Sequence, residues 1–343
     1  MKTIIFFNNK GGVGKTTLVY HFTYMLAELG NKCLAVDLDP QANLSSMFLS
    51  DDELERIYSQ DLNRETLISG IKPLDRGIGD IAPVKIHEIG NNIGLLAGDL
   101  DLSLFEDKLS TNWSKCIDGD EAAFRIISSF YRIIQNEGKK FGAKYCIIDV
   151  EPNFGALNRA VLISADFVVV PMAADLFSLQ GLKNLGNRLK SWKSEWADRY
   201  SRNKATDILL PMGEIKPLGY VVMQHGIKES RPVQSYLKWA NRIPAVFNEY
   251  VLDKNNYDKK EKVDSDINCL ALLKHYHSLI PMAMEVRKPI FLLKPADGAI
   301  GAHYQAVLRA YQDFKALSEK ILKRTQPKFA APVKITPAKK EQN

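Results

Sequence analysis

The chain has 343 residues, 45% hydrophobic and 25% charged, with a formal net charge of +6. That length and apolar content suffice for one large buried core, and α/β domains of this size stay single. No apolar run approaches the roughly 18 residues of a membrane span. Cys33, Cys116, Cys146 and Cys269 lack C-x-x-C spacing, which argues for buried reduced thiols rather than a disulfide framework or thiolate metal site.

In chain order, Ile4-Ile5-Phe6-Phe7 is an apolar run short enough for a buried strand. It leads into Asn8-Asn9-Lys10-Gly11-Gly12-Val13-Gly14-Lys15-Thr16-Thr17 and then a helical stripe of Leu18, Phe22, Met25, Leu26 and Leu29. Strand, glycine-rich turn, helix is the context in which such a loop cradles phosphates. Gly11, Gly12 and Gly14 let backbone N–H groups approach an anion, and the new helix adds its positive end. The expected nucleotide-binding set is Gly11, Gly12, Val13, Gly14, Lys15, Thr16 and Thr17. Lys15 would neutralise phosphate charge, and the Thr16 hydroxyl would ligate Mg²⁺. Cys33-Leu34-Ala35-Val36 reads as a second strand running into Asp37-Leu38-Asp39-Pro40-Gln41-Ala42-Asn43. Acids at the carboxyl end of a strand lie where open α/β sheets bind ligands. Residues 51–140 read as a helical and loop-like insertion with a strand-like Ile93-Gly94-Leu95-Leu96. Tyr145-Cys146-Ile147-Ile148 is a further apolar strand, ending in Asp149.

Beyond it, Phe167–Pro171 reads as a strand, and Leu182, Leu185, Leu189, Trp192 and Trp196 give helix 178–196 a core-packing face. Residues 226–275 look added, with a solvated, charge-dense loop from Asp253 to Asp266. His275-Tyr276-His277 is too isolated to propose as a metal site. A last helix is expected over about 299–322. The basic residues 323–343 follow as a tail that Pro327, Pro332 and Pro337 should leave disordered. The domain expected is therefore 1–322, a mostly parallel twisted sheet with helices on both faces.

With Lys10 opening the loop, the chain resembles the deviant-Walker ATPases of the ParA/Soj/MinD family, whose loops read K-G-G-x-G-K-[ST]. D-x-D-P-Q-[AG]-N looks like the family's second nucleotide motif, and the strand ending at Asp149 is similar to its Walker B element. The resemblance implies a P-loop fold that uses ATP or ADP with Mg²⁺. It implies that Lys10 reaches a partner subunit's nucleotide, that Asp37 and Asp149 hold the Mg²⁺ shell with Thr16, and that Asp39 orients the attacking water. Lys10, Lys15 and Asp39 are thus the expected catalytic set. The match resumes at Asn153–Ala156, Asn158 and Asp175–Ser178. It continues more weakly through Leu218–Met223 and Arg287–Phe291. The chain departs from the pattern at Val150-Glu151-Pro152, where relatives carry a small residue or proline. Glu151 is the possible modulator: a base or sensor, or a charge that repels phosphates and slows turnover. It is expected to point away from the nucleotide.

The charge is unevenly placed. Residues 323–343 sum to +5, 51–121 to −9 and 183–204 to +5. A basic helix and tail suit phosphate backbones, making Lys183, Lys190, Lys193, Lys323 and Arg324 candidate contacts for non-specific DNA. Few large apolar residues and several prolines set the tail apart from a lipid-binding helix, so a ParA/Soj-like protein without a membrane partner is expected. A strand that begins at the initiator region leaves no room for a signal peptide, so a cytoplasmic, nucleoid-associated location is expected. The expected function is a slow ATPase that forms a homodimer on ATP binding. The dimer would bind DNA and segregate or position cargo with a ParB-like activator. The alternative is a nucleotide-gated adaptor that recruits a protein with weak ATPase activity.

Overall fold

A computed structural model describes residues 1–59, 64–223, 232–274, 276 and 278–326, with backbone alone for 232–235. His275, His277 and the tail after Gln326 lie outside the described residues. Eight strands form one sheet: β1 (Lys2–Phe6), β2 (Cys33–Leu38), β3 (His87–Ile89), β4 (Ile93–Leu96), β5 (Tyr145–Val150), β6 (Phe167–Met172), β7 (Lys216–Met223) and β8 (Cys269–Leu273). Their order is β3-β4-β2-β5-β1-β6-β7-β8, parallel throughout except for β3 against β4.

Central strands covered on both faces read as near-continuous apolar runs, as residues 4–6, 33–36 and 145–148 do, with Asp37 and Asp149 as buried acids near the ends of β2 and β5. Successive residues feed opposite faces, the two-residue period of a strand. Ile5, Phe7, Leu34, Val36 and Ile148 enter one core cluster, while Ile4, Phe6, Cys33, Ala35 and Ile147 enter the other. The sheet therefore has the two helical layers expected of it. All four cysteines are free and buried.

Residues 51–140 are more than a helical insertion, since they carry β3 and β4 and extend the sheet beyond β2. Residues 226–275 likewise supply the edge strand β8. The charge-dense loop ends inside the fold. Asp266 is buried and accepts the Tyr220 hydroxyl at 2.6 Å. The basic helix runs Leu176–Ser201 and buries the five predicted apolar residues, with Trp196 stacked 5.7 Å from Trp113.

The last helix, Ala302–Thr325, outruns the expected end and takes in Lys323 and Arg324. Its last turn is held by contacts that sequence periodicity does not reveal. Arg324 donates to the carbonyls of Leu218 and Ile267, and Lys2 donates to that of Thr325.

Helix α1 (Lys15–Glu28) starts after Gly14, whose φ of 81° is a left-handed conformation that a side chain would strain. One turn further on, α1 grips the loop before the last helix. Tyr20 donates its hydroxyl to the Arg287 carbonyl at 3.2 Å, and the Ile290 N–H donates to His21 Nε2 at 3.1 Å. Nδ1 of the same ring then carries the proton and donates to the Thr17 carbonyl at 2.7 Å. Burial pushes the His21 pKa down to about 4, so the ring is neutral.

Candidate functional site

Strand order decides which acids meet. β5 lies between β1 and β2, and the β2–β5 register pairs Asp37 with Asp149. The phosphate loop leaves the end of β1, so Lys10–Thr17, Asp37 and Asp149 gather at the carboxyl ends of three adjacent strands. This is where doubly wound sheets bind their ligands.

A cleft of about 610 Å³ opens there, lined by Lys10 through Thr17, Asp39, Gln41, Asn43, Ser46, Met47, Glu151, Pro152 and Met284. Lys15 Nζ lies 2.6 Å from Asp149 Oδ1, the carboxylate being 0% exposed. Desolvation nevertheless raises the Asp149 pKa, outweighing Lys15. Asp37 Oδ2 accepts the backbone N–H and the hydroxyl of Ser45, each at 2.7 Å. Burial first, and then the charge of Asp149, push Asp37 up to about 7. Asp39 is held by the Gln41 N–H, which donates to Oδ1 at 2.9 Å.

Buried carboxylates this under-compensated call for a cation. Asp149 Oδ2 has no hydrogen-bond partner among the described residues. Thr16, Asp37 and Asp149 fit Mg²⁺, which keeps several waters and takes phosphate oxygens beside one or two carboxylates. Among the described residues no group of three or more His, Cys, Asp or Glu converges to hold a metal unaided.

Lys10 stands apart from Lys15. Its Nζ lies 2.5 Å from Asp175 Oδ2, each side chain 33% exposed. Asp175 also caps the helix Leu176–Ser201 by accepting the Ser178 N–H at 2.9 Å. The Asp-x-x-Ser spacing carried the signal for the cap, whereas nothing in the sequence marked its ion pair. At the preceding position, Asn9 is wedged against the same helix. A Cβ on Gly181 would lie 2.4 Å from Asn9 Oδ1, so a side chain there would displace the Asn9 amide from the helix.

Glu151 corrects an expectation: it lines the cleft instead of pointing away. The loop after β5 is bonded to itself. Asn153 Nδ2 donates to Glu151 Oε2 at 2.8 Å, and Asn158 Nδ2 donates to the Glu151 carbonyl at 2.7 Å. Asn153 Oδ1 accepts the Gly155 N–H at 2.8 Å, and Glu106 Oε1 accepts the Ala156 N–H at 2.6 Å. Desolvation and the charges of Asp39 and Glu106 raise the Glu151 pKa.

The sequence carries no local mark of a pocket for a base. A cavity of about 140 Å³ adjoins the phosphate loop, walled by Gly12–Gly14, Thr17, Met223, Leu273, Tyr276 and Phe314. Its lining comes from β7, β8 and the last helix, elements far apart in sequence.

Of the expected DNA contacts, Lys183, Lys190 and Lys193 share the helix Leu176–Ser201, and Lys323 and Arg324 stand in the last turn of the final helix. Lys193 and Lys323 are exposed. Lys190 pairs with Asp253 at 2.5 Å, Lys183 sits 4.9 Å from the Tyr250 ring centroid, and Arg324 is tied to backbone carbonyls.

Comparison with known proteins agrees with this geometry. The AAA domain family model matches residues 1–201. The sporulation initiation inhibitor protein Soj of Bacillus subtilis is 29% identical over 189 residues, covering 55% of this chain and 65% of Soj. The chain spans about half the length of the curated relatives it matches. Protein DIP2308 of Corynebacterium diphtheriae shares the fold, with a TM-score of 0.70 and 24% identity over 94% of this chain and 98% of that one. A putative plasmid partition protein of Borrelia burgdorferi, bound to AMPPNP, gives a TM-score of 0.56 and 18% identity over 94% and 99%. Among the described residues, no helix is long and apolar enough to cross a membrane. With its phosphate loop and its acids on adjoining strand ends, the chain belongs to the AAA domain family, as a ParA-type P-loop ATPase.

Proposed function

We propose that this chain is an ATP-driven switch that closes into a homodimer on Mg·ATP and opens on hydrolysis. The observation that carries the reading is the Lys15–Asp149 pair at the mouth of the phosphate loop, with Asp37 in register beside it. Mg²⁺ between Thr16, Asp37 and Asp149 would neutralise the phosphates, and the loop N–H groups would orient them. The apolar cavity beside Thr17 would take the base. Asp39, on the cleft wall, would position the attacking water. Lys10 would leave Asp175 to reach the nucleotide of a second copy.

The AMPPNP bound by the putative plasmid partition protein of Borrelia supports nucleotide binding and a role in moving DNA or another cargo. Turnover is then slow, on the order of one per minute, against the ~10 s⁻¹ of a median enzyme. The adaptor reading keeps one specific support: Lys190 and Arg324 are engaged within the chain, which reduces the cationic surface available to DNA.

Isothermal titration with Mg·ATP tests the site. Lys15→Ala should abolish binding, and near-normal affinity would refute it. Sedimentation with ATP in an Asp39→Ala background tests the dimer. Adding Lys10→Ala should abolish self-association there, and an unchanged dimer would refute the role of Lys10 across subunits.

A further inference from the structure

We propose that Glu151 sets the preference of this cleft between nucleoside tri- and diphosphates, its fixed carboxylate opposing the added charge of the terminal phosphate. The inference rests on the nucleotide reading above and concerns this chain's departure from the family pattern.

Three observations carry it. First, Glu151 lines the cleft together with Lys15, Thr16 and Asp39. Its neighbour Pro152 packs on the start of the phosphate loop, where a Cβ on Gly11 would meet Pro152 Cγ at 3.7 Å. The apolar cavity for a base adjoins the loop elsewhere, at Thr17, Met223 and Tyr276. Second, the carboxylate is anchored. Asn153 holds Oε2 at 2.8 Å, and Asn158 fixes the Glu151 carbonyl at 2.7 Å. A free surface glutamate would swing into water as a phosphate arrived, whereas this one gives up hydrogen bonds to leave. Third, no ion pair reaches Glu151 among the described residues, and Lys10 at the start of the loop is engaged by Asp175. Glu151 therefore adds uncompensated negative charge where a triphosphate places more charge than a diphosphate. The unassisted monomer is biased toward the diphosphate, and a cation brought by a partner is needed to favour the triphosphate.

Equilibrium binding of Mg·ATPγS and Mg·ADP to the full chain tests this without relying on turnover. Glu151→Gln keeps the shape and the Asn153 contact while removing the charge. It should raise ATPγS affinity by about tenfold and change ADP affinity by less than about twofold at low salt. The difference from wild type should fall away toward 1 M salt, because screening weakens charge but not packing. Equal effects on both nucleotides, or a difference that survives high salt, would overturn the proposal. The tri-to-diphosphate ratio of the wild type alone should also rise with salt, a readout independent of any variant; a flat ratio overturns it too. If wild type binds neither nucleotide, or Lys15→Ala binds both as well as wild type, the nucleotide reading itself has failed.

Discussion

Removing Lys15 should destabilise the protein in the absence of any ligand. Lys15 and Asp149 form a buried pair at 2.6 Å, 7% and 0% exposed. Lys15→Met leaves Asp149 charged, buried and in register with Asp37, itself pushed up to about 7 by burial and by Asp149. Breaking such a pair from one side costs about 3–5 kcal/mol. An unfolding entropy of about 2.1 cal/mol/K per residue makes about 0.7 kcal/mol/K for a chain this long, so Tm should fall by roughly 4–7 °C. The sign of the pH dependence is fixed. A carboxyl whose folded pKa is raised contributes most stability below its unfolded pKa, and that contribution is lost as pH rises through the folded value. The deficit of Lys15→Met should therefore be largest at the alkaline end and shrink as pH falls and Asp149, its pKa raised by burial, takes up a proton. Lys15→Met/Asp149→Leu removes both charges and should recover most of the loss. Scanning calorimetry in EDTA without nucleotide measures all three proteins. A single variant melting within about 1 °C of wild type at pH 8, or a double no more stable than the single, would refute the reasoning.

Three further outcomes follow from the geometry. His21 is buried with its pKa lowered to about 4, so its contribution is fully present above about 6.5 and lost as pH falls through 4. Between those limits wild type should lose about 3 kcal/mol relative to His21→Gln in urea unfolding, and parallel pH profiles would contradict this. Asp175→Asn keeps the helix cap but releases Lys10. Monomer stability should change by less than about 1 kcal/mol, while sedimentation should detect ATP-dependent association at lower ATP than in wild type. If DNA is bound, filter binding should show no sequence preference and a steep loss with salt. Lys193→Gln should flatten that slope, whereas Arg324→Ala should lower thermal stability, since it leaves two carbonyls without their donor.

The nucleotide half of the site was legible because it is written locally. A strand, a loop and a helix start stand together in residues 4–18, and Asp37 and Asp149 each end an apolar run. Strand order then brought them together with no further signal required. What sequence could not supply were contacts between distant segments. The partner of Lys10 is 165 residues away, and the carbonyls that hold Arg324 are 106 and 57 away. Helix periodicity ended the last helix three residues early because its final turn is polar and is stabilised by those carbonyls. Glu151 was misdirected for a related reason. A glutamate in a loop is ordinarily solvated, whereas here Asn153 holds its carboxylate and Asn158 its backbone carbonyl.

The grip of α1 on residues 287–290 also has a kinetic meaning. The Ile290 amide proton rests on an imidazole nitrogen instead of a carbonyl. It can exchange with solvent only when α1 separates from the C-terminal loop, or when His21 takes a proton and loses its acceptor lone pair. At neutral pH this amide should be among the slowest to exchange deuterium, opening with the core rather than with the surface. Below the pKa of His21 it should become fast while amides of β1 remain protected. Ile290 is thus a built-in reporter on whether the phosphate helix and the chain's last quarter move as one body.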